Sequence, residues 1–174
     1  MDKSFFLQDA ENVARDLLGK VLVRKVDGIQ RKARIVETEA YYDEKDPASR
    51  ARQNGDLRET MLMDAGTILV YGCHNNWLLN FVNNKKGKAE AVLIRALQPL
   101  NFEGRCNGPG LLTKFMLIDK SFHKQNLFSN KLIWIEEADK EFEIKKSFRI
   151  GVRKDLKKKL RFYVKDNPFV SRNR

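Results

Sequence analysis

Only two cysteines, Cys73 and Cys106, and two histidines, His74 and His123, occur in 174 residues. They form no C-x-x-C pair, so neither a zinc cluster of usual spacing nor a disulfide framework is available. Proline is scarce, at four residues, and no Pro/Ser linker, internal repeat or low-complexity tract divides the chain. No apolar run reaches the roughly 18 to 20 residues that a membrane-spanning helix needs. With 42% hydrophobic and 33% charged residues, collagen-like and disordered classes are excluded as well. The stretch Met1 to Phe6 is too short for a secretion signal, and the expectation is one soluble domain over 1–174 in a reducing cytoplasm.

What the chain does have is positive charge, unevenly placed. The net charge is +11, and Lys145 to Arg174 carries 12 Lys or Arg against Asp155 and Asp166, whereas residues 1–144 hold 22 basic against 21 acidic groups. A localised excess of this kind attracts polyanions, nucleic acid first and a membrane surface or ribosome less often, because neutralising phosphates releases condensed counterions. A solvated basic face that only maintains solubility is the alternative.

Ala10, Val13, Ala14, Leu17 and Leu18 make one helical stripe between Asp9, an N-cap candidate, and Gly19. Asp27-Gly28, set between Val21/Val23 and Ile29, is the turn chemistry of a two-stranded hairpin whose second strand runs toward Tyr41. Residues 43–55 turn polar and read as a long exposed loop. Further strands are expected over 67–71, 77–82, 91–97, 132–136 and 160–164, with a short helix over 110–118. Strands outnumber helices, so the expected fold class is α+β, a single mixed domain.

The densest chemistry lies in Arg34 to Tyr41, where strand periodicity puts Glu37, Glu39 and Tyr41 on one face. Burial of a carboxyl beside an aromatic ring raises its pKa toward the range useful for a general base. The same pattern would also suit the solvent face of an edge strand. The carboxylates from Glu37 to Asp46 further permit a metal-dependent nuclease.

Several motifs in one order add a resemblance. Arg34 to Tyr41, Gly66-Thr67 leading to Val70-Tyr71, Val92 to Pro99, Cys106-Asn107-Gly108-Pro109, Leu160 to Val164 and Asn167 to Ser171 together resemble the alkyladenine (3-methyladenine) DNA glycosylase family. The resemblance spans Phe5 to Ser171 and implies an antiparallel, barrel-like sheet with a few flanking helices. It also implies a monomeric base excision repair enzyme that removes damaged purines from double-stranded DNA without metal or cofactor, and that does not engage membranes. Such an enzyme must flip the nucleotide out of the stack, which costs a few kcal/mol. By the same resemblance Glu39 is the general base that activates water, with Glu37 supporting it. Tyr41 and Tyr71 are the aromatic walls around the flipped base, and Asn80 and Arg95 line the pocket.

Three positions depart from the family's pattern. Arg50 falls where the family usually has a purine-contacting histidine, and a cation facing the pocket would repel an already cationic base. The expectation is therefore that Arg50 points outward to a phosphate or pairs with Glu44 or Asp46. The family's aromatic duplex wedge is missing from Gly72-Cys73-His74-Asn75-Asn76, which leaves His74 as first candidate and Asn75 as second. Gly108-Pro109-Gly110-Leu111 lacks the lysine of the family's Gly-Pro-x-Lys. The competing reading is a non-catalytic protein that binds damaged DNA.

Overall fold

The computed structural model describes residues 1–138 and 141–171. Its helices are α1 (Lys3–Phe6), α2 (Ala10–Asp16), α3 (Asp56–Met61) and α4 (Pro109–Phe115). Its strands are β1 (Val21–Val26), β2 (Ile29–Tyr41), β3 (Ile68–Cys73), β4 (Asn76–Val82), β5 (Ala91–Pro99), β6 (Ile133–Glu136), β7 (Ile144–Ser147) and β8 (Arg161–Val164). All eight strands join one antiparallel sheet in the order β3-β4-β5-β2-β1-β6, with β8 pairing β2 and β7 pairing β8. The result is an α+β domain whose sheet curls into a half-barrel, as expected.

The spine is β2. Its thirteen residues pair with β5 along one edge, while the other edge is shared by β1 over residues 29–34 and β8 over 37–39. Such a central strand has no edge open to water, which disposes of the edge-strand alternative for Glu37 and Glu39. Asp27 and Gly28 both adopt positive φ, at 49° and 82°, and close the β1–β2 hairpin as their side-chain chemistry dictates. The register between β2 and β5 slips on both sides of Glu37, so that Ile35 faces Leu97, Glu37 faces Ala96 and Thr38 faces Ile94. Irregularities of this kind re-aim side chains, and here Arg95 stands at the slip, facing both glutamates.

Helix α2 begins where Asp9 accepts from the Asn12 N–H at 3.0 Å, and it lays Val13 and Ala14 on the sheet. Thr38 Oγ1 donates to the Ala14 carbonyl at 2.7 Å, which fixes helix to spine. Each fully buried aliphatic side chain in this layer contributes about 1.5–3 kcal/mol. Phe6 fills the far end of the core, edge-on to Phe81 and Phe128.

Two stretches differ from the sequence reading. Residues 43–55 are folded down as turns and a 3-10 turn at Arg50–Arg52, with Asp46, Ser49 and Ala51 buried, and α3 follows directly. The cause is Asp46, which accepts from the Tyr42 and Ala48 N–H groups and from the Arg149 guanidinium. Strand β7, Ile-Lys-Lys-Ser, lacks apolar alternation and is held by its ladder to β8.

Candidate active site

The end of β2, the β3–β4 hairpin, the middle of β5, the 47–53 segment and residues 150–154 converge on a cleft of about 990 Å³. Tyr41 and Tyr71 both line it, and both also line a narrower apolar recess beneath, closed by Met61, Leu69, Ala91 and Asn80. Asn80 is buried and donates to the Leu69 and Leu78 carbonyls, so it belongs to the recess rather than to the open cleft.

Glu39 lies directly behind the cleft wall formed by Tyr41, Arg95 and Ile150 and is fully buried. Its Oε1 accepts from the Ile150 N–H at 2.8 Å, and its Oε2 accepts from the Tyr41 hydroxyl at 2.8 Å. The Arg95 Nη1 donates more loosely, at 3.5 Å, to Glu39 Oε2 and to the Ile150 carbonyl. Burial raises the Glu39 pKa above its ordinary value, and Arg95, the Ile150 N–H and the Tyr41 hydroxyl pull it part of the way back. Burial beside this carboxylate pushes the Tyr41 phenol well up, so it stays a donor.

Glu37 has a different place. Its Oε1 accepts from Arg161 Nε at 2.5 Å and from the Ser171 hydroxyl at 2.8 Å, and its Oε2 accepts from the Ser171 N–H at 2.7 Å. It ties the C-terminal segment to the spine and does not line the cleft. Glu37 is committed to Arg161 and Asp46 to Arg149, so these two carboxylates are neutralised by the protein's own cations. Among the described residues no group of three His, Cys, Asp or Glu side chains converges on a common point.

Arg50 does not pair with Glu44 or Asp46. Its guanidinium lies over the Tyr71 ring, 5.1 Å from the centroid, and lines both cleft and recess. The expected partner is occupied: Arg149, fully buried, donates to both Asp46 oxygens at 2.6 and 2.7 Å, to Asp155 and to the Ala40 carbonyl. Arg149 also stacks over Tyr41 at 4.5 Å. Burial opposes charge on both partners, but their mutual contacts dominate, so Asp46 is held below its ordinary pKa and Arg149 above its own. Neither Arg149 nor Ile150 was singled out from the sequence. A buried charge in a basic tract looks like its solvated neighbours, and a backbone N–H leaves no residue-type signal.

His74 and Asn75 form the two-residue tip of the β3–β4 hairpin, with φ of 47° and 59°. Both are exposed, and His74 lines the cleft rim. Gly110, on α4, is fixed by packing: a Cβ there would sit 2.6 Å from the Asn76 Cβ. Only glycine lets α4 approach this hairpin so closely.

The basic excess divides into two sets. Lys145 and Lys165 pair with Glu143, Lys146 and Lys158 with Glu11, and Arg149 and Arg161 are buried in the networks above. Arg153, Lys154, Lys157 and Lys159 are exposed and make no ion pair among the described residues, and Arg153 and Lys154 line the cleft with Arg52. Arg172 and Arg174 lie outside the described residues.

Comparison with known proteins agrees with this geometry. The methylpurine-DNA glycosylase family model matches residues 4–168. Relatives include proteins from Aeropyrum pernix, 40% identical over 100% of this chain and 94% of its own, and from Borrelia garinii, 39% identical over 99% and 100%. A third, from Legionella pneumophila, is 39% identical over 99% of this chain and 98% of its own. Each is named, by inference, a 3-methyladenine DNA glycosylase. The chain belongs to the methylpurine-DNA glycosylase family and is a DNA glycosylase, a hydrolase of N-glycosyl bonds.

Proposed function

We propose that this protein releases 3-methyladenine and related alkylated purines from duplex DNA as a monofunctional, monomeric glycosylase in a reducing cytoplasm. The observation that carries the reading is Glu39, a buried carboxylate oriented by the Tyr41 hydroxyl and the Ile150 N–H directly behind an aromatic slot. The names of the relatives supply the substrate class.

In the mechanism, the hairpin tip at His74 and Asn75 enters the duplex and the damaged nucleotide swings into the cleft. Its base stacks between Tyr41 and Tyr71, which gain extra attraction for a cationic methylpurine. Phosphates neighbouring the lesion meet Arg52, Arg153 and Lys154. Water sits where Glu39 Oε2, Arg95 Nη1 and the Ile150 carbonyl approach one another, with the Arg95 contacts, the longest of the set, yielding to admit it. As the C1′–N9 bond lengthens, positive charge develops on the sugar and the Glu39 carboxylate stabilises it. Water adds to C1′, its proton passes to Glu39, and the bond pair leaves with the purine. A base methylated at N3 or N7 is already cationic and departs neutral, so no general acid is required.

A second reading, a damaged-DNA-binding protein without turnover, draws on the complete burial of Glu39 and on the absence of an aromatic wedge. The test incubates the full chain with methylated duplex DNA in excess chelator, then heats it in alkali. Strand breaks matched by free 3-methyladenine support the enzyme; tight binding without either supports the binder.

A further inference from the structure

The mechanism above leaves Arg50 without a part, although its guanidinium lies against the slot. It stacks on Tyr71, it borders the apolar recess with Tyr41, Ala48 and Asn80, and no carboxylate among the described residues pairs with it. Two other guanidiniums beside the slot are neutralised, Arg149 behind Tyr41 by Asp46 and Asp155, and Arg95 by Glu37 and Glu39. Arg50 therefore contributes an uncompensated positive charge at the place where the base stacks.

A guanidinium in this position has two chemical consequences. It offers only donors, in a planar fork, and so matches a base edge presenting two acceptors, as a 6-oxopurine does with O6 and N7. It also favours negative charge and opposes positive charge on the group it faces. A neutral purine leaving from C1′ carries off the bond pair and becomes an anion; a cationic methylpurine carries off the same pair and becomes neutral. The first gains from Arg50 and the second loses.

We infer that Arg50 is a specificity-determining residue that shifts this site toward hypoxanthine, the neutral 6-oxopurine that adenine deamination produces, at the expense of cationic methylpurines. This rests on the glycosylase reading and extends it. In the step itself, the water oxygen bonds to C1′ and the C1′–N9 bond breaks. The water proton goes to Glu39, and the N9 electron pair spreads over the ring toward N7 and O6, where Arg50 compensates it by hydrogen bonding without giving up a proton. The purine anion is then protonated by Glu39 or by solvent, which restores the enzyme.

The test measures single-turnover release of hypoxanthine from a duplex containing it, and of 3-methyladenine from methylated DNA, by the wild type, Arg50→Gln and Arg50→Lys. Arg50 is exposed, and its guanidinium engages Tyr71 through the ring face and the hydroxyl rather than any buried ion pair, so both variants should fold, as circular dichroism will check. The expected result is that Arg50→Gln lowers hypoxanthine release about ten-fold, the scale of a charge-assisted hydrogen bond, and raises 3-methyladenine release. Arg50→Lys, which keeps the charge but not the fork, should fall between. Equal loss on both substrates, as a phosphate contact would give, overturns the inference. So does a wild type that releases 3-methyladenine but no hypoxanthine. A wild type that releases neither base overturns the glycosylase reading instead.

Discussion

The Tyr41 hydroxyl donates to Glu39 Oε2 at 2.8 Å, so one tyrosine is both a wall of the aromatic slot and a restraint on the carboxylate behind it. In the proposed mechanism the base is ionised Glu39, whose pKa burial raises above its ordinary 4.5. Activity should therefore fall as pH drops through a value higher than that. Tyr41→Phe keeps the ring but removes a donor that favours the ionised form, so the acid limb of the kcat/KM profile should move to still higher pH. An acid limb at the same pH in both proteins would mean that the hydroxyl does not act on the base.

Arg149 joins β2, the 43–49 turns and the segment carrying Ile150. Arg149→Met leaves Asp46 buried without its cation, and breaking a buried pair in this way costs about 3–5 kcal/mol. Denaturant unfolding should show that loss, and Asp46→Asn in the same chain should recover part of it. Because Asp46 is held below its ordinary pKa of 3.8, the stability it confers is present above that pH and is lost as acid protonates it in the folded state. A double variant no more stable than Arg149→Met would show that the two residues are not coupled.

Charge placement makes a prediction about salt. Replacing Arg153, Lys154 and Lys157 by glutamine should weaken binding to undamaged duplex and reduce the slope of log affinity against log salt by about 2–3, at roughly 0.9 per phosphate contact. Replacing Lys145 and Lys165, which pair with Glu143, should leave the slope near its starting value. If the two sets behave alike, net charge rather than the cleft rim governs binding.

Gly110 should tolerate no side chain without displacing the hairpin that carries His74. Gly110→Leu must push Asn76 aside. The expected outcome is weaker binding to lesion-containing duplex, with a smaller change on undamaged duplex, measured by titration of both.

Much of this architecture was legible because local chemistry and tertiary context agree. Asp9, Gly19 and the Asp27-Gly28 turn mark their boundaries through capping and positive φ, and the structure uses each of them that way. Arg34 to Tyr41 marked the spine, and the structure brings Glu39, Tyr41, Tyr71, Arg95 and Arg50 to one cleft and its wall, with Asn80 in the recess below and His74 and Asn75 at the rim. What could not be read were features created by long-range pairing. Strand β7 exists only through β8. The 43–55 stretch is polar yet pinned inward, because its Asp46 meets an arginine about a hundred positions away. That same pairing leaves Arg50 without the carboxylate expected for it, and it turns onto Tyr71 while staying exposed at the cleft.

The most direct measurement compares wild type with Glu39→Gln on methylated duplex DNA, following free 3-methyladenine under single-turnover conditions beside a binding titration on the same DNA. Loss of a general base typically removes about 10²–10⁴ in rate, so Glu39→Gln should release base at that deficit while binding with near wild-type affinity. Release at the wild-type rate by a variant that lacks the carboxylate would contradict the account.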